Sequence, residues 1–127
     1  MTTATDTPPD DDVFLPAIPP GAPVLVVLVE MDGCPACEEF HPVFVKTALP
    51  YAQRGLPIIR VDANTTDPVA QRWMNALRVE ATPTLIAVAM RRGAASLAGP
   101  LPVGRLEGSA SPLAVSGVLN AAWVHNR

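Results

Sequence analysis

The sequence predicts one α/β domain, in which a central mixed β-sheet is flanked by helices and preceded by a flexible N-terminal segment. Apolar, β-branched runs recur at 24–29, 58–61 and 84–90, as in strands that are buried on both faces. Segments that carry helix-starting signals separate these runs. A chain of 127 residues is long enough for one domain with its own core.

The N-terminal segment differs in composition from the rest of the chain. Residues 1–22 hold five of the fifteen prolines and four of the twelve acidic residues, which is typical of a flexible or polyproline-like segment. Val13, Phe14 and Leu15 are the exception, because they could dock the segment onto the domain or onto a partner. We therefore divide the chain into a flexible segment over 1–22 and a folded domain over 23–127.

The first half of the domain alternates strands and helices. Residues 24–29 predict a buried strand, 35–53 a helix and 58–61 a second buried strand. Asp67 has the side chain of an N-cap and Pro68 suits the first helical position, so a second helix is predicted from there to about residue 77.

The second half predicts a hairpin and a final helix. The third strand covers 84–90, Gly93 turns the chain, and 101–107 returns as an edge strand. Ser111 and Pro112 start the last helix. The resulting order is β-α-β-α-β-β-α. Both strand–helix–strand units are predicted to be parallel with right-handed crossovers, and the last two strands antiparallel.

The chemistry is predicted at Cys34-Pro35-Ala36-Cys37, between the first strand and its helix. Pro35 suits the first helical position, so Cys34 is the N-cap and its sulfur faces free N–H groups at the positive end of the helix. That environment favours the thiolate, which is the nucleophile. Cys37 lies one turn further along, within disulfide reach. The spacing predicts an exposed attacking thiol at Cys34 and a sheltered resolving thiol at Cys37.

Charge and hydropathy exclude several classes of function. Residues 1–45 carry eight acidic residues and no Lys or Arg, and no basic stripe with aromatic residues occurs, so we expect no nucleic acid partner. The longest apolar run, 24–29, is too short to span a membrane. The first twelve residues lack the basic start and apolar stretch of a secretory signal. A cytoplasmic protein is the expectation.

Several features taken together resemble the thioredoxin family over roughly residues 22–125. A C-P-x-C sequence follows a strand at Cys34, and Pro42 lies eight residues further on, inside the helix. Val61-Asp62 ends the second strand, and Thr82-Pro83-Thr84 precedes the third. The joint pattern is specific, whereas C-x-x-C alone would not be.

The resemblance implies the thioredoxin fold and a thiol–disulfide oxidoreductase with a CXXC redox-active centre, in which Cys34 and Cys37 are catalytic. Pro83 would be a cis-proline opposite Cys34, the backbone of Thr82 would pair with an extended substrate strand, and Gly108 would lie beside the substrate groove. The Cys34–Cys37 disulfide would be the only cofactor. The partners would be protein thiols or disulfides and an unidentified reductant.

The chain also departs from the pattern of that family. Gly33 stands where thioredoxins usually carry Trp, and Leu28 where they usually carry a buried Asp. Near Ile58 the Lys that pairs with this Asp is missing as well. Because that carboxylate is thought to assist proton transfer at the second cysteine, its loss bears directly on the reductase cycle.

Four acidic residues surround the cysteines. Glu30, Asp32, Glu38 and Glu39 are predicted to form a solvated acidic rim that opposes thiolate formation. Alternatively, Glu30 replaces the missing Asp, since it lies two positions further along the same strand face. Glu30 would then support the active site together with Pro35 and Ala36.

Two alternatives stay open. Cys34, Cys37 and His41 have the spacing of zinc ligands, but no second cysteine pair is present, so we expect no metal site and a solvated His41. Instead of an enzyme, the chain could be a thioredoxin-fold binding or assembly module with little redox turnover, whose N-terminal segment contacts a protein partner.

Overall fold

The computed structural model describes residues 8–90 and 101–126. A 3-10 turn, Asp10–Asp12, precedes four strands and three helices. In chain order these are β1 (Val24–Glu30), α1 (Pro35–Gln53), β2 (Ile58–Asp62), α2 (Pro68–Ala76), β3 (Thr84–Ala89), β4 (Leu101–Glu107) and α3 (Pro112–Asn126). The predicted element order is therefore confirmed. The predicted turn at Gly93 lies outside the described residues.

The four strands form one mixed sheet in the order β2-β1-β3-β4. β1 pairs in parallel with β2, as predicted, and β3 and β4 are antiparallel, also as predicted. The second strand–helix–strand unit was wrongly predicted to be parallel, because β3 runs antiparallel to β1. The reason is positional: β3 begins beside Cys34, at the end of the sheet where β1 and β2 end, and so must run back. Apolar runs identify strands but carry no information on direction.

Three prolines start helices, and each directly follows a residue whose side chain can cap the helix N-terminus. The side chain of Asp67 accepts a hydrogen bond from the N–H of Val69, and Ser111 Oγ accepts one from Ala114. Each side chain satisfies a donor that the first helical turn leaves free. Cys34 holds the same N-cap position for α1.

The sheet buries side chains on both faces. Alternate residues of β1 point to opposite sides, as the pleat requires. On one side, Val24, Val26 and Leu28 pack with α1 and α3, while Leu25, Val27 and Val29 pack on the other with Trp73 and Met74 of α2. Glu30 continues the first series, so its side chain points to the face that α1 covers. Among the described residues, no helix combines the length and apolar character needed to cross a membrane.

The N-terminal segment packs against the domain over part of its length. Val13 is 2% exposed and belongs to the main core, and the N–H of Leu15 donates to the carbonyl of Ile58. The ring of Phe14 stacks on Phe44 of α1. Of the two alternatives for this apolar trio, docking onto the domain is what the structure shows. The division of the chain at residue 22 stays a prediction, and residues 1–7 lie outside the described part.

Candidate functional site

Cys34 and Cys37 form a disulfide at the N-terminus of α1. Their Cα atoms are 5.2 Å apart, and the N–H of Cys37 donates to Cys34 Sγ at 3.1 Å. Cys34 has the extended backbone of an N-cap, as Pro35 predicts. Cys34 is 8% exposed and Cys37 4%, so the predicted order of exposure is right but Cys34 is not openly exposed. The loop that precedes β3 lies directly against its sulfur.

Thr82 of that loop contacts Cys34 with two atoms. Its hydroxyl donates to Cys34 Sγ at 3.4 Å, and its carbonyl oxygen lies 3.6 Å from the same sulfur. The Thr82–Pro83 bond is cis. Gly108, which has a positive φ of 82°, donates its N–H to the carbonyl of Pro83 at 2.8 Å. The structure thus brings Thr82, Pro83 and Gly108 to one edge of the cysteine pair.

Glu30 is buried and ion-paired, so placing it in a solvated rim was wrong. It is 2% exposed, accepts a hydrogen bond from Arg60 Nε at 2.6 Å, and has both carboxylate oxygens 2.9 Å from His41 Nδ1. A buried carboxylate needs such partners to offset the loss of water. Asp32, Glu38 and Glu39 are exposed, as a solvated rim requires.

Arg60 is a site residue that the sequence analysis missed. It lies on β2 opposite Leu28, where its side chain can reach the carboxylate of Glu30 at the end of β1. The sequence held no specific signal for this contact, because Arg60 is exposed and a lone Arg in a strand ordinarily points to solvent.

His41 was predicted to be solvated, and this is also wrong. Its Nδ1 faces Glu30, and its Nε2 lies 2.8 Å from Asp10 Oδ1 of the N-terminal segment. Hydrogen bonding to Glu30 is the main cause that raises the pKa of His41 to about 9; burial opposes the rise and Asp10 adds to it. The ring is a cation at neutral pH.

Cys37 and these charged groups line a common hollow. Its volume is about 150 Å³. The lining residues are Glu30, Met31, Asp32, Gly33, Cys37, Glu38, His41 and Arg60. Within residues 8–90 and 101–126, no group of three or more His, Cys, Asp or Glu side chains is arranged to hold a metal ion.

A second hollow begins at Thr82, on the other side of the turn that follows β1. It has a volume of about 450 Å³ and an open mouth, and it extends from Met31 and Ala63 past Glu80 and Ala81. Its lining mixes apolar side chains such as Met74 and Val79 with the polar side chains of Gln71, Asn75 and Glu80.

Site and fold together define a thioredoxin-fold protein with an oxidised CXXC pair, and comparison with known proteins agrees. No protein-family model and no curated protein sequence matches the chain. Among solved structures, a thioredoxin from Thermus thermophilus matches with a TM-score of 0.62 and 23% identity, over 81% of this chain and 75% of that one. Trxlp from Edwardsiella tarda matches with a TM-score of 0.59 and 26% identity, over 78% and 84% of the two chains.

A third solved structure, a thioredoxin from Aeropyrum pernix, matches with a TM-score of 0.56 and 21% identity, over 81% of this chain and 76% of that one. These likenesses confirm the thioredoxin fold and the predicted resemblance to the thioredoxin family. The chain thus combines the thioredoxin fold with a Cys34–Cys37 disulfide, an arrangement consistent with thiol–disulfide oxidoreductase chemistry.

Proposed function

We propose that this protein reduces or exchanges disulfides of other proteins with Cys34 and Cys37. The observation that carries the proposal is the environment of Cys34 Sγ. Two donors point at this sulfur, the N–H of Cys37 at 3.1 Å and the hydroxyl of Thr82 at 3.4 Å. Both would stabilise a thiolate more than a thiol, and the positive end of α1 adds to their effect.

The reaction proceeds by two thiol–disulfide exchanges. The Cys34 thiolate attacks one sulfur of the substrate disulfide; that bond breaks, and the other substrate sulfur leaves as a thiolate. Cys37 then loses its proton and attacks Cys34 Sγ in the mixed disulfide, which releases the second substrate sulfur. The substrate gains two electrons, and the cysteine pair becomes the disulfide seen in the structure. An external thiol reductant returns the pair to the dithiol.

The substrate would lie along the loop before β3. Thr82 contacts Cys34, and Gly108 donates its N–H to the carbonyl of the adjoining Pro83. The hollow of about 450 Å³ continues from Thr82. An extended substrate strand in this place would present its sulfur to Cys34 and pair with the backbone of Thr82. Substrate binding by these three residues is part of the proposal.

Pro35, Ala36 and Glu30 would support the reaction. Pro35 and Ala36 keep the first turn of α1 in register, so that the N–H of Cys37 reaches Cys34. Glu30 shares the hollow of about 150 Å³ with Cys37. Its carboxylate is placed to receive the Cys37 proton directly or through water in that space. A cytoplasmic location, which would supply the reductant, stays a prediction from the sequence.

The alternative function, a binding or assembly module, has one observation in its favour. Leu15, Ile18 and Val69 are 41%, 37% and 48% exposed. They border an apolar hollow of about 400 Å³ on the side of the sheet away from Glu30. A protein partner that covered this hollow would bury these side chains and leave the cysteines untouched.

Trapping experiments separate the two functions and assign the cysteines. We expect Cys37→Ser to accumulate a mixed disulfide with a protein substrate such as insulin, because the second exchange is blocked. Cys34→Ser should accumulate none. The wild-type protein with excess reductant should reduce insulin, and the double serine variant should not. Equal capture by both single variants would contradict the assigned roles. Reduction by the wild-type protein at the uncatalysed rate would favour the module.

A further inference from the structure

The imidazole of His41 has a carboxylate at each of its nitrogens. Nδ1 is 2.9 Å from Glu30, which ends β1, and Nε2 is 2.8 Å from Asp10, in the 3-10 turn. A neutral imidazole has one N–H and can donate to only one of them. Both contacts are hydrogen bonds only when the ring is doubly protonated. The contacts therefore select the imidazolium.

This imidazolium lies close to the cysteine pair. His41 follows Cys37 by four residues on α1, and side chains at this spacing share one face of a helix. The two residues line the same hollow of about 150 Å³ together with Glu30. Without the positive ring, the buried carboxylate of Glu30 would face Cys37 with Arg60 as its only cationic partner among the described residues.

The N-terminal segment completes the arrangement. Asp10 supplies the second carboxylate, and the ring of Phe14 lies 5.9 Å from the imidazole between their centroids. Val13, which directly follows the 3-10 turn, is anchored in the core. The position of Asp10 is therefore fixed by packing.

We propose that His41 is a positioning residue for the cysteine pair, and that Asp10 and Glu30 together hold its ring as an imidazolium beside Cys37. The positive ring keeps the Glu30 carboxylate in place under Cys37 and offsets its charge. The reduced pair, which carries a thiolate, is thereby stabilised. The inference rests on the proposed function, since it concerns the same cysteines, and it makes the N-terminal segment part of the site.

The charges that act on the ring come from every element packed against it. Glu30 belongs to β1, Arg60 to β2 and Asp10 to the 3-10 turn, while Asp32 and Glu38 border the same hollow from the turn after β1 and from α1. Glu30 is the larger cause of the raised pKa of His41, and Asp10 adds a smaller share. Without Asp10, the His41 ring should therefore still be a cation near neutral pH. It should lose its proton at a lower pH than in the wild-type protein.

The test is the equilibrium between the Cys34–Cys37 disulfide and glutathione, which needs no protein substrate. We expect His41→Gln to lower the equilibrium constant for reduction of the disulfide by about five- to tenfold. The upper value corresponds to a change of about one unit in the pKa of a thiol. Asp10→Asn should lie within about twofold of the wild-type value at about pH 7 and approach His41→Gln at about pH 8.5. Asp11→Asn, an exposed neighbour with the same charge change, should match the wild-type protein at both values.

Nitrogen NMR of the histidine ring supplies the second readout. The wild-type ring should stay doubly protonated until about pH 9, and Asp10→Asn should deprotonate earlier, with exposed His125 as the internal reference signal. If His41→Gln does not fold, Asp10→Asn carries the test.

Two results would overturn the inference. The first is an unchanged glutathione equilibrium in folded His41→Gln, which would leave the residue a structural role only. The second is identical behaviour of Asp10→Asn and Asp11→Asn at both pH values. If insulin reduction fails while His41→Gln shifts the equilibrium, the proposed function is wrong and the inference stands.

Discussion

The hydroxyl of Thr82 donates a hydrogen bond to Cys34 Sγ at 3.4 Å, across 48 positions of the chain. Cys34 starts α1 and Thr82 precedes β3, so this contact joins the two segments that meet at the end of the sheet. A hydroxyl at this distance supplies a donor to the sulfur that α1 alone does not. In the reduced pair, this donor from the tertiary structure would act on Cys34 Sγ together with the N–H of Cys37.

Thr82→Val tests this contact, because valine keeps the shape of threonine and removes the donor. We expect the pKa of Cys34 to rise, and the thiolate fraction at a pH below that pKa to fall by up to about tenfold, the effect of a hydrogen bond to a charged group. Ultraviolet absorbance of the thiolate against pH measures it. Thr84→Val is the matched control, because Thr84 is the first residue of β3 and its hydroxyl donates to the carbonyl of Ala81 instead. Equal titration curves for both variants would show that the Thr82 hydroxyl does not act on Cys34.

The pH dependence of stability tests His41. Because the pKa of His41 is raised to about 9, its cationic contacts stabilise the folded protein fully below about pH 6.5, and this contribution is lost as the pH rises through about 9. The loss should be on the order of 1–2 kcal/mol, since the side chain is a quarter exposed and keeps part of its hydration. Urea unfolding across this range measures the free energy.

His41→Gln is the comparison for this prediction. This variant should be less stable than the wild-type protein at neutral pH. The difference in unfolding free energy should narrow as the pH approaches 9.5, about half a unit above the pKa of the His41 ring. A difference in unfolding free energy that stays constant across the range would mean that the ring contributes by packing alone.

Local signals in the sequence account for much of the fold and of the redox pair. The apolar runs predicted β1, β2 and β3, and the prolines that follow Cys34, Asp67 and Ser111 predicted the start of each helix. These signals depend on neighbouring residues only. The direction of a strand in the sheet depends on distant parts of the chain, so the antiparallel course of β3 was missed.

The charged half of the site could not be found in the same way. Glu30 meets Arg60 across 30 positions and His41 across 11, and Asp10 meets His41 across 31. Taken one at a time, these charged residues are of types that ordinarily lie at the solvated surface. Only the fold shows that the end of β1 is buried under α1, and that the N-terminal segment reaches it.

Gly33 explains one departure from the thioredoxin pattern. Its φ is +75°, a conformation that L-residues other than glycine rarely adopt. Among the described residues other than Gly33 and its two chain neighbours, no heavy atom lies within 4 Å of a Cβ built at this position, so backbone strain is what opposes a side chain there. We expect Gly33→Ala to lower the free energy of unfolding by about 1 kcal/mol, measured by urea unfolding.

Gly117 provides the control for that change. It lies inside α3, and apart from its neighbours and the adjacent helix backbone no heavy atom of the described residues is within 4 Å of its built Cβ. Gly117→Ala should raise the free energy of unfolding by about 0.5–1 kcal/mol, because alanine suits a helix interior better. A Gly33→Ala protein as stable as the wild-type protein would show that the turn before Cys34 can adopt another conformation.

Truncation and a core substitution test the role of the N-terminal segment. The composition of residues 1–22 predicts that their deletion leaves a folded and active domain, but Val13 and Phe14 pack into the main core. We therefore expect a chain that begins at Pro9 to match the full chain in thermal unfolding, and a chain that begins at Pro23 to unfold at a lower temperature.

Val13→Ala should lower the free energy of unfolding by about 2 kcal/mol, because it opens a cavity where the side chain is 2% exposed. Leu15→Ala, at a 41% exposed position, is the matched control and should cost less than about 1 kcal/mol. Equal melting temperatures of the two truncated chains would contradict this role and restore the flexible segment.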